Sequence, residues 1–241
     1  MSIELVIFDM AGTTVRDDDA VNTCLRDAMA PHLAVTRDEV NSVMGLPKPT
    51  AIRLLLEQKL AAKGTVPPAL VNEIHGSFLA RMLHHYQQAP GIEPMPHTLD
   101  TFCQLREEGI HIALDTGFSR PIVDAILERL GWNEGGLLDA TVASNEVQRG
   151  RPYADLALRA MELTGVRDPK CVAKVGDTPS DLQEGMAAGC LLVVGVTNGS
   201  HTREQLAPHP HTHLIATLQE LPALVLSSAS LTSKSPEPTR P

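Results

Sequence analysis

The 241-residue chain sets 20 Lys and Arg against 29 Asp and Glu, a formal charge of −9 with histidine neutral. This balance argues against nucleic acid as a partner, and any anionic substrate must be held by a local cluster of positive groups. The longest apolar run, 190–196, is too short to cross a membrane, and Cys24, Cys103, Cys171 and Cys190 lie far apart with no secretory signal ahead of the first apolar run, so a cytoplasmic protein is expected.

In chain order, residues 5–8 form a continuous apolar run that ends in Asp9-Met10-Ala11-Gly12-Thr13-Thr14, the pattern of a strand buried on both faces and followed by a tight turn. Residues 17–91 contain no comparable strand. They show helical periodicity over 20–29, 37–43, 50–62 and 69–86, which predicts a helical domain inserted after the first strand, with hinges near Arg16 and Ala89-Pro90-Gly91. Strand-like runs then recur at 110–114, 140–143, 172–175 and 191–196, with helical stretches 121–130, 153–164 and 181–188 among them and an edge strand at 214–217. Alternation of this kind predicts an α/β fold, a doubly wound, Rossmann-like parallel sheet. The core is therefore 1–16 with 92–226, the inserted α-helical cap is 17–91, and the Ser-, Thr- and Pro-rich stretch 227–241 is expected to be a disordered tail.

In an open parallel sheet, ligands sit outside the carboxyl ends of the strands, so the residues at those ends are the site candidates. Asp9 follows the first strand beside Gly12 and Thr13, whose amides suit an anion; a carboxylate there serves either as a nucleophile or as a turn former. Asp177 and Asp181, in Gly176-Asp177-Thr178-Pro179-Ser180-Asp181, pair carboxylates in a way that favours a hard cation, or else cap a helix. Thr116 offers a hydroxyl at another strand end. Arg151 offers a fixed cation just before Pro152, which is expected to open a helix. Four strand ends thus supply nucleophile, hydroxyl, cation and metal carboxylates, the parts of a phosphoryl-transfer site.

These residues together resemble the haloacid dehalogenase-like hydrolases, whose four motifs span the core from Asp9 to Asp181. The resemblance implies that Asp9 is the nucleophile, that Thr116 and Arg151 hold phosphoryl oxygens, and that Mg2+ is held by Asp9, the Ala11 carbonyl and Asp177 with Asp181 in support. It also implies that the insert is a cap selecting a small-molecule phosphonate or phosphate ester, that Gly12, Thr13, Gly117 and Met44 line the substrate site, and that the chain can pair as a homodimer through its cap. Ala11 stands where phosphate-ester hydrolases of this superfamily carry a second Asp as general acid. With Met44-Gly45-Leu46-Pro47-Lys48, it is instead similar to the phosphonatase branch, in which a cap lysine forms a Schiff base with an aldehyde and turns carbon into a leaving group. Pro49 would then occupy the first turn of a helix, placing Lys48 at a positive helix end that lowers its pKa. Ala51 departs from that branch, which has a histidine three positions after the lysine. Cleavage of phosphonoacetaldehyde to acetaldehyde and phosphate is the implied activity. The alternatives are a phosphatase acting on a small phosphate monoester, similar to phosphoglycolate phosphatases, and a non-catalytic protein that binds a phosphorylated metabolite.

Four further features read as structural. His209, His211 and His213 alternate among prolines before the edge strand, His84-His85 ends an exposed helix of the insert, Trp132 packs in a loop, and Arg53 is a solvated helix residue.

Overall fold

A computed structural model describes residues 2–60 and 65–228. Its first strand, β1 (Leu5–Asp9), is followed by four helices, α1 (Ala20–Met29), α2 (Arg37–Asn41), α3 (Lys48–Leu60) and α4 (Pro68–Gln88). After α5 (Thr98–Glu107) the chain alternates through β2 (His111–Thr116), α6 (Arg120–Leu130), β3 (Ala140–Ala143), α7 (Asp155–Thr164), β4 (Val172–Gly176), α8 (Pro179–Ala188) and β5 (Leu192–Val196). The short α9 (Arg203–Leu206), β6 (His213–Ile215) and α10 (Leu221–Ser228) follow. All strand pairs are parallel, in the order β3-β2-β1-β4-β5-β6, so β1 lies inside the sheet between β2 and β4.

Alternation along β1 explains why its sequence is apolar without interruption. Val6 and Phe8 face one core, where the Phe8 and Phe102 (α5) rings pack at a tilt with centroids 5.0 Å apart. Leu5 and Ile7 face a second core built with Leu156 and Ala160 of α7 and Leu182 of α8. A strand covered on both faces has no solvent side to place polar residues on. The first core continues without a break into the insert, through Leu25, Leu55, Phe78 and Met82.

The two connections to the insert run side by side. Arg16 N donates to Glu93 O at 3.0 Å and Met95 N to Thr14 O at 2.9 Å, and the Arg16 guanidinium pairs with the Glu93 carboxylate. The expected helix starting at Pro152 is corrected: the Arg151-Pro152 peptide is cis, Tyr153 N closes a turn onto Gly150 O at 3.2 Å, and α7 begins only at Asp155. That turn directs Arg151 inward. Helix α5 has no counterpart among the expected elements. Residues 61 and 62 of the expected third helix and 229–241 of the expected tail lie outside the described residues, while Ser227 and Ser228 belong to α10.

Trp132 packs on Phe102, ring centroids 5.8 Å apart, and Arg53 is exposed. His211 Nδ1 lies 2.7 Å from His209 O and His213 Nδ1 lies 3.0 Å from Thr212 Oγ1. Among the described residues no helix is long and apolar enough to cross a membrane.

Candidate active site

The carboxyl ends of β1, β2 and β4 bring Asp9, Thr116 and Asp177 together, and the loop after β3 delivers Arg151. Asp9 is 5% exposed and accepts from Arg151 Nη1 at 2.6 Å. Burial pushes its carboxyl well up from the ordinary carboxylate range; Arg151 opposes this, while Asp181 and Asp177 add to it. Thr116 is buried, and its Oγ1 accepts from Phe118 N at 3.2 Å while its own proton is left to donate.

Arg151 is the hub of a buried ionic lattice. Besides Asp9 it donates through Nε to Glu184 Oε2 at 2.8 Å and through Nη2 to Asp115 O at 3.0 Å and to the Asp115 carboxylate, and its Nη1 is 2.9 Å from Asp181 Oδ1. Each of its three nitrogens thus has a protein acceptor, and the residue also lines the narrow cavity that holds Asp9 and Thr116. Lys174, in the middle of β4, pairs with the Asp115 carboxylate and sits 3.3 Å from both Asp181 Oδ1 and Glu184 Oε2. Lys174 and Arg151 outweigh the burial of Asp115 and hold its carboxyl below the usual range, whereas burial and Asp115 push Glu184 up to about 7. The sequence reading did not single out Lys174, Asp115 or Glu184 as functional. The available signal was a lysine flanked by Ala173 and Val175 in a buried strand, a position lysine occupies only when paired.

Replacing Arg151 with Met is expected to be severe for the fold as well as for the site, because Asp9, Asp115, Asp181 and Glu184 would share Lys174 alone. Unpairing a buried ionic cluster costs about 3–5 kcal/mol, so denaturant unfolding should lose that much. A loss under about 1 kcal/mol would mean that the lattice does not depend on this cation.

Asp9, Asp177 and Asp181 present oxygens within 4.8 Å of one another, all buried. Asp177 accepts from Ser200 N and Oγ, both at 2.7 Å, and from Thr13 Oγ1 at 3.0 Å; Asp181 Oδ2 accepts from Thr178 N at 3.1 Å and Oγ1 at 2.6 Å. Asp181 Oδ1 is buried and, with Arg151 and Lys174 as ion-pair neighbours, has no hydrogen-bond partner among the described residues. Of the five buried carboxylates counted with Asp115 and Glu184, four pair with Arg151 or Lys174, and Asp177 has no cation partner among the described residues. An all-oxygen donor set with uncompensated negative charge fits a hard divalent cation. The second acidic trio, Asp115, Asp181 and Glu184, has Lys174 and Arg151 already among its oxygens.

The insert supplies the other wall. The loop 44–48 is seated on the strand ends: Ser180 Oγ donates to Met44 O at 3.1 Å, and Gly45, at φ +81°, leaves no room for a Cβ, which would stand 2.3 Å from Thr178 Oγ1. A Cβ on Gly117 would lie 2.6 Å from Gly45 O and 2.7 Å from Leu46 O, so only glycine lets the two backbones approach this closely. Asp9, Ala11, Met44, Lys48, Thr116 and Gly117 line one narrow cavity of about 30 Å³. It adjoins a wider one of about 390 Å³, lined in part by Gly12, and Asp17, Met44 and Ser200 line both. Gly12, at φ +91°, passes so close to Asp177 that a Cβ would meet Oδ2 at 2.5 Å. The Thr13 hydroxyl is committed to Asp177.

Lys48 opens α3 with Pro49 in its first turn, as expected, and is 4% exposed. Its Nζ is 5.4 Å from the Phe118 ring centroid and 5.9 Å from that of Phe78, and it makes one long hydrogen bond, 3.4 Å to Leu46 O. Burial brings the amine down to about 8; Arg151 acts in the same direction, and Asp9 and Asp17 oppose. Ala51 is buried, and Tyr86 of α4 is buried with its hydroxyl unpartnered.

The family profile described as haloacid dehalogenase-like hydrolase matches residues 6–195. The chain belongs to that family. It is 32% identical over 212 residues to a phosphonoacetaldehyde hydrolase from Lysinibacillus sphaericus, covering 83% of this chain and 77% of that protein. It is also 32% identical over 207 residues to a bifunctional phosphonoacetaldehyde hydrolase/aminoethylphosphonate transaminase from Clostridioides difficile, covering 82% of this chain but only 32% of that longer protein. Among solved structures, a phosphonoacetaldehyde hydrolase-like protein from Oleispira antarctica superposes with a TM-score of 0.84 at 21% identity, covering 98% of this chain and 96% of that one. A predicted phosphoglycolate phosphatase from Haemophilus somnus superposes at 0.76 with 18% identity, covering 93% and 98%. The last two establish the fold. The protein is a hydrolase of this superfamily, with relatives among the phosphonoacetaldehyde hydrolases.

Proposed function

We propose that the protein is a magnesium-dependent hydrolase that cleaves the carbon-phosphorus bond of a small phosphonate, with phosphonoacetaldehyde as substrate and acetaldehyde and phosphate as products. The observation that carries this reading is Lys48: a buried amine with no ion pair among the described residues, facing the cavity that also holds Asp9, beside an alanine where an ester hydrolase needs an acid. An oxygen leaving group requires a proton donor; a carbon leaving group requires an electron sink, which an imine supplies.

In this reading Lys48 condenses with the aldehyde, Asp9 attacks phosphorus, and the electron pair of the carbon-phosphorus bond passes into the imine. The enamine left on Lys48 takes a proton at carbon and is hydrolysed to acetaldehyde and the free amine, and water hydrolyses the aspartyl-phosphate to phosphate and Asp9. The Thr116 hydroxyl donates to a phosphoryl oxygen. Arg151 acts chiefly by fixing the Asp9 carboxylate, since its other donors are engaged by Asp115 and Glu184. Asp9, the Ala11 carbonyl and Asp177, with Asp181 beside them, would hold the Mg2+, which when bound polarises the phosphoryl group as a Lewis acid. Residues 17–91 serve as the cap over a core of 1–16 and 92–226, and the aromatic rings of Phe78 and Phe118 keep water from the Lys48 amine. The four free cysteines suit a reducing, cytoplasmic setting.

Incubation with phosphonoacetaldehyde and magnesium should release acetaldehyde and phosphate in equal amounts, and borohydride should trap an adduct on Lys48. Release of an alcohol from phosphate monoesters, with no adduct, would overturn the proposal in favour of a phosphatase. Labelling of Lys48 by a small amine-directed reagent should titrate at about 8. The sign follows from burial: the neutral amine is favoured, so reactivity rises through pH 8 rather than through the ordinary lysine range. At pH 7 the buried lysine therefore offers more neutral amine than an unperturbed one.

A further inference from the structure

Imine formation needs proton traffic, and neither Ala11 nor Ala51 can carry it. An amine must lose a proton before it attacks, and the hydroxyl of the resulting carbinolamine must gain one before it leaves as water. Asp17 stands where such a group is needed. It lies in the connection between β1 and α1, it lines the narrow cavity together with Lys48 and Asp9, and it also lines the adjoining wider cavity, so its carboxyl belongs to both spaces. One carboxyl oxygen is fixed: Oδ1 accepts from Val21 N at 3.1 Å, which makes Asp17 a cap for α1 and pins the carboxyl to the cavity wall, since Val21 lines that wall too. Among the described residues this is the carboxyl's only hydrogen bond, which leaves Oδ2 for a guest. The next two residues, Asp18 at φ +44° and Asp19 at φ +67°, are both left-handed, a sharp bend that carries the chain past Asp17 into α1. Close by, the buried Tyr86 ring lies against Phe118, 6.1 Å between centroids, with its hydroxyl unpartnered among the described residues and its pKa raised by burial and by Asp17 and Asp9.

We infer that Asp17 is the acid-base catalyst of imine formation at Lys48, a role resting on the proposed carbon-phosphorus cleavage. Through a water in the cavity they share, the carboxylate takes one proton from the Lys48 ammonium, the freed amine adds to the aldehyde carbon, and the carboxylic acid returns that proton by the same route as the carbinolamine hydroxyl departs. Ammonium and aldehyde thereby give iminium and water with no proton gained or lost, and Asp17 ends as it began. The charges facing Asp17 keep it able to exchange. Burial, Asp177 and Asp19 push its carboxyl up to about 6, opposed by the Val21 N–H and Lys48; Tyr86 and Cys24 are the other titratable groups near it. With Lys48 near 8, a proton moves between the two at small cost.

Asp17→Asn tests this, because the amide oxygen can still accept from Val21 N and cap α1 while the group no longer exchanges a proton. Wild-type and variant protein are mixed with phosphonoacetaldehyde and magnesium, quenched with borohydride at successive times, and the Lys48 adduct is quantified by mass spectrometry alongside acetaldehyde release. The variant should form adduct and turn over about 100-fold more slowly, with KM and melting temperature little changed. Asp17→Glu should recover part of the rate, and added formate should partly rescue Asp17→Ala, which a merely structural cap would not allow. Adduct formation and turnover at wild-type rates in Asp17→Asn would overturn the role of Asp17 and leave the lysine chemistry standing. A wild-type protein that forms no Lys48 adduct would overturn the proposed function itself, and this inference with it.

Discussion

Asp9→Asn should abolish turnover while leaving a folded protein. An amide is nearly the size of a carboxylate but a far weaker nucleophile at phosphorus, and losing covalent attack should cost several kcal/mol of barrier, a drop of about 1,000-fold or more. The Arg151 donor that now bonds Asp9 Oδ1 at 2.6 Å can bond an amide oxygen in the same place. Four buried carboxylates pair with Arg151 and Lys174 here, so removing one negative charge relieves the lattice, and the melting temperature should hold or rise. Phosphate release measured with phosphonoacetaldehyde and magnesium checks the first claim, and a melting curve the second. A variant that keeps more than about a tenth of wild-type turnover would mean that another group attacks phosphorus.

What the sequence discloses here depends on how local each signal is. The strands β1, β2 and β4 are legible because burial on both faces forces an unbroken apolar run, and their last residues locate the site without any knowledge of packing. The insert is legible from its helical periodicity, and Lys48 from the Met44 to Lys48 segment. The lattice under Asp9 is not legible in this way. Asp115, Lys174 and Glu184 come from β2, β4 and α8, and only the parallel order β2-β1-β4 places them around Arg151. Arg151 is legible from its place after β3 and before Pro152, but the acceptors that bind its nitrogens come from elements the sequence does not connect. Pro152 misled the start of α7 because a proline suits a turn as well as a first helical position, and here the need to aim Arg151 at the carboxylates selects the turn. Asp17 escaped notice for a related reason. In the run Asp17-Asp18-Asp19 the three carboxylates look alike, and only the fold shows that the first lines the cavity with Lys48 while Asp19 pairs with Arg37 at 2.9 Å.

Lys48→Arg separates carbon-phosphorus cleavage from ester hydrolysis more sharply than any other change at this site. Arginine keeps the positive charge at the end of α3 but has no amine to condense with an aldehyde. If Lys48 only attracts a phosphoryl group, the variant should retain most activity, because a guanidinium binds phosphate oxygens at least as well. If Lys48 forms the imine, acetaldehyde release should fall by about 1,000-fold or more, since the carbanion that would otherwise leave has no electron sink and Ala11 offers no proton. The borohydride adduct should vanish in the same variant. The position is 4% exposed and enclosed by Phe78 and Phe118, so the longer side chain could disturb packing; Lys48→Met, unbranched and uncharged, controls for this because it removes charge and amine while suiting the apolar surroundings. Both variants inactive on phosphonoacetaldehyde with melting curves like the wild type would assign the amine itself to the reaction. Full activity in Lys48→Arg with loss in Lys48→Met would assign only the charge, and the protein would then be read as an ester phosphatase whose proton donor is some group other than Ala11.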